Sequence, residues 1–81
     1  MPTLLRAGPY RVFMFMSDCA EPRHVHVEGN DGLAKFWLVP VSLAENVGYS
    51  PREIHQIRKV VESERLLLIR AIDAICERAR R

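Results

Sequence analysis

The apolar residues of this chain change rhythm at Ser50-Pro51-Arg52-Glu53, and that change separates two kinds of structure. Ahead of it they fall in short runs broken by turn residues, the pattern of β-strands. Behind it Ile54, Ile57, Val61, Leu68, Ile72, Ile75 and Ala79 recur at helical spacing, with Glu64 as the gap in the stripe. Ser50 can cap the helix, Pro51 suits its first position, and Glu53 stands where a capping box needs its acid. The expected fold is α+β: an antiparallel β-meander of three to four strands packed on a long or bent C-terminal helix. Residues 1–81 form a single small domain in this reading, with 1–40 as the meander, 41–50 as a connector and 51–80 helical. An uninterrupted helix from Pro51 to Arg80 would be roughly 45 Å long. A compact domain of this size is only about 30 Å across. The helix therefore bends near Ser63–Glu64, or it overhangs and a second subunit covers its far end.

Within the first half, Leu4–Arg6 is a candidate strand, turned by Ala7-Gly8-Pro9 into a second strand over Tyr10–Met16. Apolar residues on both faces of that second run mark the middle of a sheet, or a strand under a helix on one side and a loop on the other. Ser17–Pro22 reads as a loop. Next comes a hairpin whose register can be checked against its own chemistry. With Gly29-Asn30-Asp31-Gly32 as a four-residue loop, Glu28 opposes Leu33, Val27 opposes Ala34, His26 opposes Lys35, Val25 opposes Phe36 and His24 opposes Trp37. Directly opposed residues share a face. One face then holds Val25, Val27, Ala34 and Phe36, a core set; the other holds His24, His26, Lys35 and Trp37. A slip of one residue would mix the two sets. Pro40 ends the strand, and Val41–Gly48 is expected to be a connector with a helical turn around Ser42–Asn46.

Composition narrows the class further. Hydrophobic residues make up 48% of the chain, too many for a disordered segment. No apolar run approaches the length of a membrane span, and no leader pattern opens the sequence, so the default location is cytoplasmic. Cys19 and Cys76 lie far apart in different elements, which argues against a disulfide and reads Cys76 as a small core residue. The net charge is only +2; the basic end at Arg78, Arg80 and Arg81 is compatible with an acidic partner or nucleic acid, and the favoured reading is a solvated helix end whose cations complement the dipole.

The polar-aromatic face carries the sharpest functional expectation, metal-independent cleavage of RNA. Such chemistry needs a base, an acid and a cation for the phosphate. His24, His26 and Lys35 are the catalytic candidates; Arg11, Arg23 and Trp37 would bind substrate, the indole by stacking on a base. An ordinary outer sheet surface would carry the same residues. Histidines at i and i+2 can also share a metal, with Glu28, Asp18 or Cys19 as a third ligand. No Cys-x-x-Cys or His-Glu-x-x-His spacing demands one, so neither metal nor cofactor is expected. His55, between Arg52 and Lys59, reads as a solvated helix residue. The rival is a non-catalytic binding module. Leu66, Leu67 and Ile69 lie partly off the helical stripe, which points to a homodimer or a small protein partner.

Several strings taken together resemble a named family. They are Glu21-Pro22-Arg23-His24-Val25-His26-Val27, Ala34-Lys35-Phe36-Trp37-Leu38, and Leu43-Ala44-Glu45-Asn46-Val47-Gly48-Tyr49-Ser50 with Arg52 and Glu53. This combination is similar to the domain of unknown function 4160 family. The resemblance implies a small bacterial or archaeal protein, often encoded beside another small domain in a toxin–antitoxin-like layout. It implies no particular activity and no set of site residues.

Overall fold

Five strands follow one another as one antiparallel meander, each hydrogen-bonded to the next in chain order. They are β1 (Thr3–Ala7), β2 (Tyr10–Phe13), β3 (His24–Gly29), β4 (Gly32–Leu38) and β5 (Val41–Val47). A 3₁₀ turn, η1 (Met16–Ala20), interrupts the meander between β2 and β3, and two helices, α1 (Pro51–Ser63) and α2 (Arg65–Ala79), follow it. This computed structural model describes residues 1–80; Arg81, counted above in the basic end, lies outside them.

The β3–β4 hairpin has the register expected from its faces: His24 pairs with Trp37, Val25 with Phe36, His26 with Lys35, Val27 with Ala34 and Glu28 with Leu33. Its loop is tighter than expected, because Gly29 and Gly32 pair as well. Only Asn30 and Asp31 are left to turn the chain, at φ of 51° and 62°. Two consecutive left-handed residues give the turn whose twist matches a right-handed ladder, and Asn and Asp tolerate that region better than most side chains. Position 32 needs glycine because of its close neighbour. A Cβ there would collide with the ring of Tyr49, which lies against the backbone.

The main correction to the expected architecture is the fifth strand. Val39-Pro40, joined by a cis peptide bond, makes the turn, and Val41 then pairs back to Leu38. Pro40 ends β4 as expected. The proline does not prevent the next residue from starting a new ladder, so the supposed connector is an edge strand. β5 holds one residue more than its partner where the pairing passes from Lys35–Glu45 to Phe36–Leu43. That bulge breaks the strict alternation by which strands are read from sequence.

The inner face of the sheet is dry. Val12, Met14, Val25, Val27, Ala34, Phe36 and Leu38 are all at most 1% exposed. They pack against Ile54, Ile57 and Val61 of α1 and Leu68, Ile72 and Cys76 of α2, forming one core. The helical stripe does break at Glu64, where the backbone leaves the helix at φ −104° and ψ 13° before α2 begins. The break lets α1 lie on β4 and β5 while α2 reaches β1 and η1. The molecule is elongated, 40 Å long and only about half that across. Ser50 caps α1 by accepting from the Glu53 N–H at 3.2 Å. Leu66 and Leu67 remain exposed at 61% and 48%, whereas Ile69 is half-buried against the core.

Cys19 and Cys76 form a disulfide, contrary to the expectation of a free core cysteine. Separation along the chain was the wrong guide. η1 folds back beside the last turns of α2, so residues separated by 57 positions meet with Cα atoms 5.6 Å apart. Among the described residues, no helix is long and apolar enough to cross a membrane.

Candidate functional site

At the open end of the β3–β4 hairpin, farthest from its turn, three side chains converge from two elements. His24 and His26 project from the same face of β3, as their spacing requires. Asp18 comes down onto them from η1. Its carboxylate also accepts from the Phe15 N–H at 2.8 Å, which fixes the turn that carries it. Asp18 Oδ2 lies 3.0 Å from His26 Nε2, and Oδ1 lies 3.2 Å from His24 Nε2. Rings enclose the group. His26 stacks on Phe13 and meets Phe15 edge-on, and His24 meets both His26 and Trp37 edge-on at 5.2 and 5.4 Å between centroids.

The two imidazoles share one side of the sheet, as expected, but that side is not open at this end. η1 closes over it, leaving His24 only 2% exposed and His26 partly covered. A charge so placed must be balanced locally, because buried polar groups are costly without partners. Burial pushes the Asp18 carboxyl up, yet the Phe15 N–H, with the two imidazoles when they are protonated, holds it below its ordinary range.

His24 is only half satisfied. Its Nδ1 lies 2.9 Å from the Pro22 carbonyl oxygen. A carbonyl only accepts, so Nδ1 carries the proton. The other nitrogen, Nε2, is buried and has no hydrogen-bond partner among the described residues. Its 3.2 Å approach to Asp18 is an ion-pair distance without the alignment of a hydrogen bond.

The remaining sequence-predicted residues are nearby, each with partners of its own. Lys35 Nζ donates to Glu21 Oε1 at 3.3 Å and sits 4.6 Å from the centre of the Trp37 ring. Arg11 bonds Glu28 at 2.7 Å, Thr3 at 2.7 Å and the Met1 carbonyl at 3.0 Å, and lies over Phe13. Arg23 makes a two-pronged pair with Asp73 of α2, at 2.8 and 2.9 Å. The hydrogen bond and charge of each partner raise the Arg23 pKa and lower that of Asp73. Beside this pair, Pro22, Arg23, Trp37 and Val39 line an open cavity of about 220 Å³. Arg23 and Trp37 therefore share a wall that Arg11 does not reach. His55 is exposed on α1, as expected.

Sequence reasoning named Asp18 only as one of three possible third ligands. Of the other two, Glu28 is paired with Arg11 and Cys19 is in the disulfide. The signal was weak because a 3₁₀ turn has no clear hydrophobic period. The walls formed by Phe13 and Phe15 were legible only as apolar residues on both faces of β2.

At the opposite end of the sheet a second polar cluster ties the hairpin turn to α1. Tyr10 donates to Glu53 Oε2 at 2.6 Å, Asn30 donates to the same oxygen at 3.1 Å, and Tyr49 donates to the Gly29 carbonyl at 2.8 Å. The acid expected to close a capping box thus holds the sheet. Burial, then the nearby Glu53 carboxylate, push the Tyr49 hydroxyl up to about 12.

Fold and site together define a small α+β protein with a walled-in His–His–Asp cluster at one end of a five-stranded sheet. The model of the domain of unknown function family (DUF4160) matches residues 10–71, and the chain belongs to that family. The matched span covers the whole of this cluster. No curated protein and no solved structure matches the chain.

Proposed function

We propose that this chain is the binding member of a small two-protein, toxin–antitoxin-like module in the cytoplasm. It would hold a protein partner, either a second copy of itself or the product of a neighbouring gene, against the outer side of α2. One observation carries the choice of binding over RNA cleavage. Each cation named for phosphate already has a carboxylate: Arg11 has Glu28, Arg23 has Asp73 and Lys35 has Glu21. A catalytic base at His24 would also have to work from beneath η1, since that ring is sealed. By contrast, Leu66 and Leu67 stand adjacent and exposed on α2, an apolar pair that a partner can cover.

The test uses Leu66→Glu and Leu67→Glu, both at exposed positions that do not disturb the core. Leu68 is fully buried, so its replacement would report unfolding instead. Light scattering after size exclusion, with and without the co-expressed neighbour, is expected to show an assembly that either variant dissolves. A monomer that retains no neighbour product, or variants that assemble like the parent, would refute the reading.

A second reading keeps RNA as ligand, and the cavity beside Trp37 and Arg23 supports it. In that case His24, His26 and Lys35 would act on the phosphate. Trp37 is the sole tryptophan, so its fluorescence reports stacking directly. Salt-sensitive quenching by single-stranded RNA would favour this reading, together with growth arrest on expression that Lys35→Ala relieves. A cytoplasmic location would keep Cys19 and Cys76 largely reduced. The state of that bond in cells therefore reports the compartment.

A further inference from the structure

We propose that Asp18, His24 and His26 form a binding site for one divalent first-row transition-metal ion. Three observations support it independently of what the module binds.

The first is the orphan nitrogen. His24 Nε2 is buried, unpartnered and turned toward a carboxylate. In its neutral form the ring keeps its one proton on Nδ1, held by the Pro22 carbonyl, and Nε2 then presents a lone pair. A lone pair facing a carboxylate oxygen is repulsive, and a cation between them turns repulsion into two bonds.

The second is spacing. Bonds of about 2.0–2.1 Å to one ion, at tetrahedral to octahedral angles, place neighbouring ligand atoms about 2.9–3.4 Å apart. The two nitrogen–oxygen separations, each to a different oxygen of the one Asp18 carboxylate, are 3.0 and 3.2 Å and fall in that range; all three donors lie within 4.8 Å of one another, so the imidazoles must draw closer to share one ion. For His24 the approach lacks hydrogen-bond alignment, as expected when the lone pair aims at a point beside the oxygen rather than at it.

The third is the outer support. Metal-binding histidines almost always donate their second ring N–H to a carbonyl or carboxylate, which fixes tautomer and orientation. His24 already does so. Asp18 is likewise steadied by the Phe15 N–H, and the rings of Phe13, Phe15 and Trp37 give the site an apolar wall.

Two imidazoles and one carboxylate suit zinc, cobalt or ferrous iron better than magnesium or calcium, which prefer all-oxygen sets. His26 would bind through Nε2 with its proton moved to Nδ1. Three protein ligands leave at least one position for water or an exogenous ligand, reached from the partly exposed His26 side.

The experiment titrates tag-free, chelator-stripped full-length protein with Zn²⁺ by calorimetry and with Co²⁺ by visible absorption. One equivalent is expected to bind, with a cobalt d–d band and a higher melting temperature. Asp18→Asn and His26→Gln, shown folded by circular dichroism, are expected to weaken zinc binding at least about 100-fold. His55→Gln should bind as the parent does. Mg²⁺ and Ca²⁺ at the same concentrations should change nothing. No stoichiometric binding below about 100 μM, or equal affinity in the folded Asp18 and His26 variants, would overturn the proposal. Loss of binding in His55→Gln would do so too.

Discussion

The two ends of the sheet each hold a polar cluster, and they are finished differently. At the hairpin turn, Tyr10, Asn30, Glu53 and Tyr49 form a set in which every hydrogen bond has a donor and an acceptor. At the other end, Asp18, His24 and His26 are more enclosed, yet one buried nitrogen has no hydrogen bond. The first cluster stabilises the fold by tying α1 to the sheet. The second keeps an unmet demand in a place that is expensive to leave unmet. A buried group left unsatisfied within an otherwise ordered pocket is better understood by what it awaits than by what it stabilises.

The largest way to break this contrast is through the disulfide, which pins η1, and with it Asp18, to α2. Replacing Cys19 and Cys76 together by serine frees a loop whose ends are separated by 57 positions. The chain-entropy model then expects a loss of about 4 kcal/mol, measurable by urea unfolding. Below that transition, imidazole NMR signals of His24 and His26 should change while the ring signals of Tyr10 and Tyr49 stay put. Equal disturbance at both ends would show that η1 is not an independent cover.

A smaller effect is expected at the finished end. Tyr49→Phe removes the hydroxyl that donates to the Gly29 carbonyl and leaves that acceptor enclosed, at about 1–2 kcal/mol. Tyr49 also gives this end a pH dependence. Its pKa is raised on folding, to about 12 from an ordinary value of 10.0. Its contribution is therefore complete below about pH 10 and lost as pH rises towards about 12. In Tyr49→Phe that alkaline decline should flatten.

The smallest effect sharpens the comparison most. In metal-free protein His24→Leu removes the orphan nitrogen along with the Pro22 bond, so stability should change by less than about 1 kcal/mol. A loss of about 1–2 kcal/mol or more, matching that expected for Tyr49→Phe, would mean that His24 is as fully satisfied as the tyrosines, and the difference between the two ends would disappear.

How much of this could be read from sequence follows the same division. The core face and the pairing of β3 with β4 were legible, because alternation over Val25–Val27 and Ala34–Phe36 admits only one clean register. The capped start at Ser50 and the break at Glu64 were legible from local chemistry. β5 was hidden by Pro40 and by its bulge, and the turn length by Gly29 and Gly32 pairing beyond the last side-chain match. That the histidines share a face followed from their i and i+2 spacing. That Asp18 covers them did not, because η1 and the disulfide holding it depend on contacts distant in sequence.

The most direct measurement is nitrogen-15 NMR of the three imidazoles before and after one equivalent of zinc. The expected result is a metal-free His24 protonated on Nδ1 and bare on Nε2. On adding zinc, the Nε2 signals of His24 and His26 should shift together while His55 stays unmoved. A proton found on His24 Nε2 in place of Nδ1, or a zinc response confined to His55, would contradict the account.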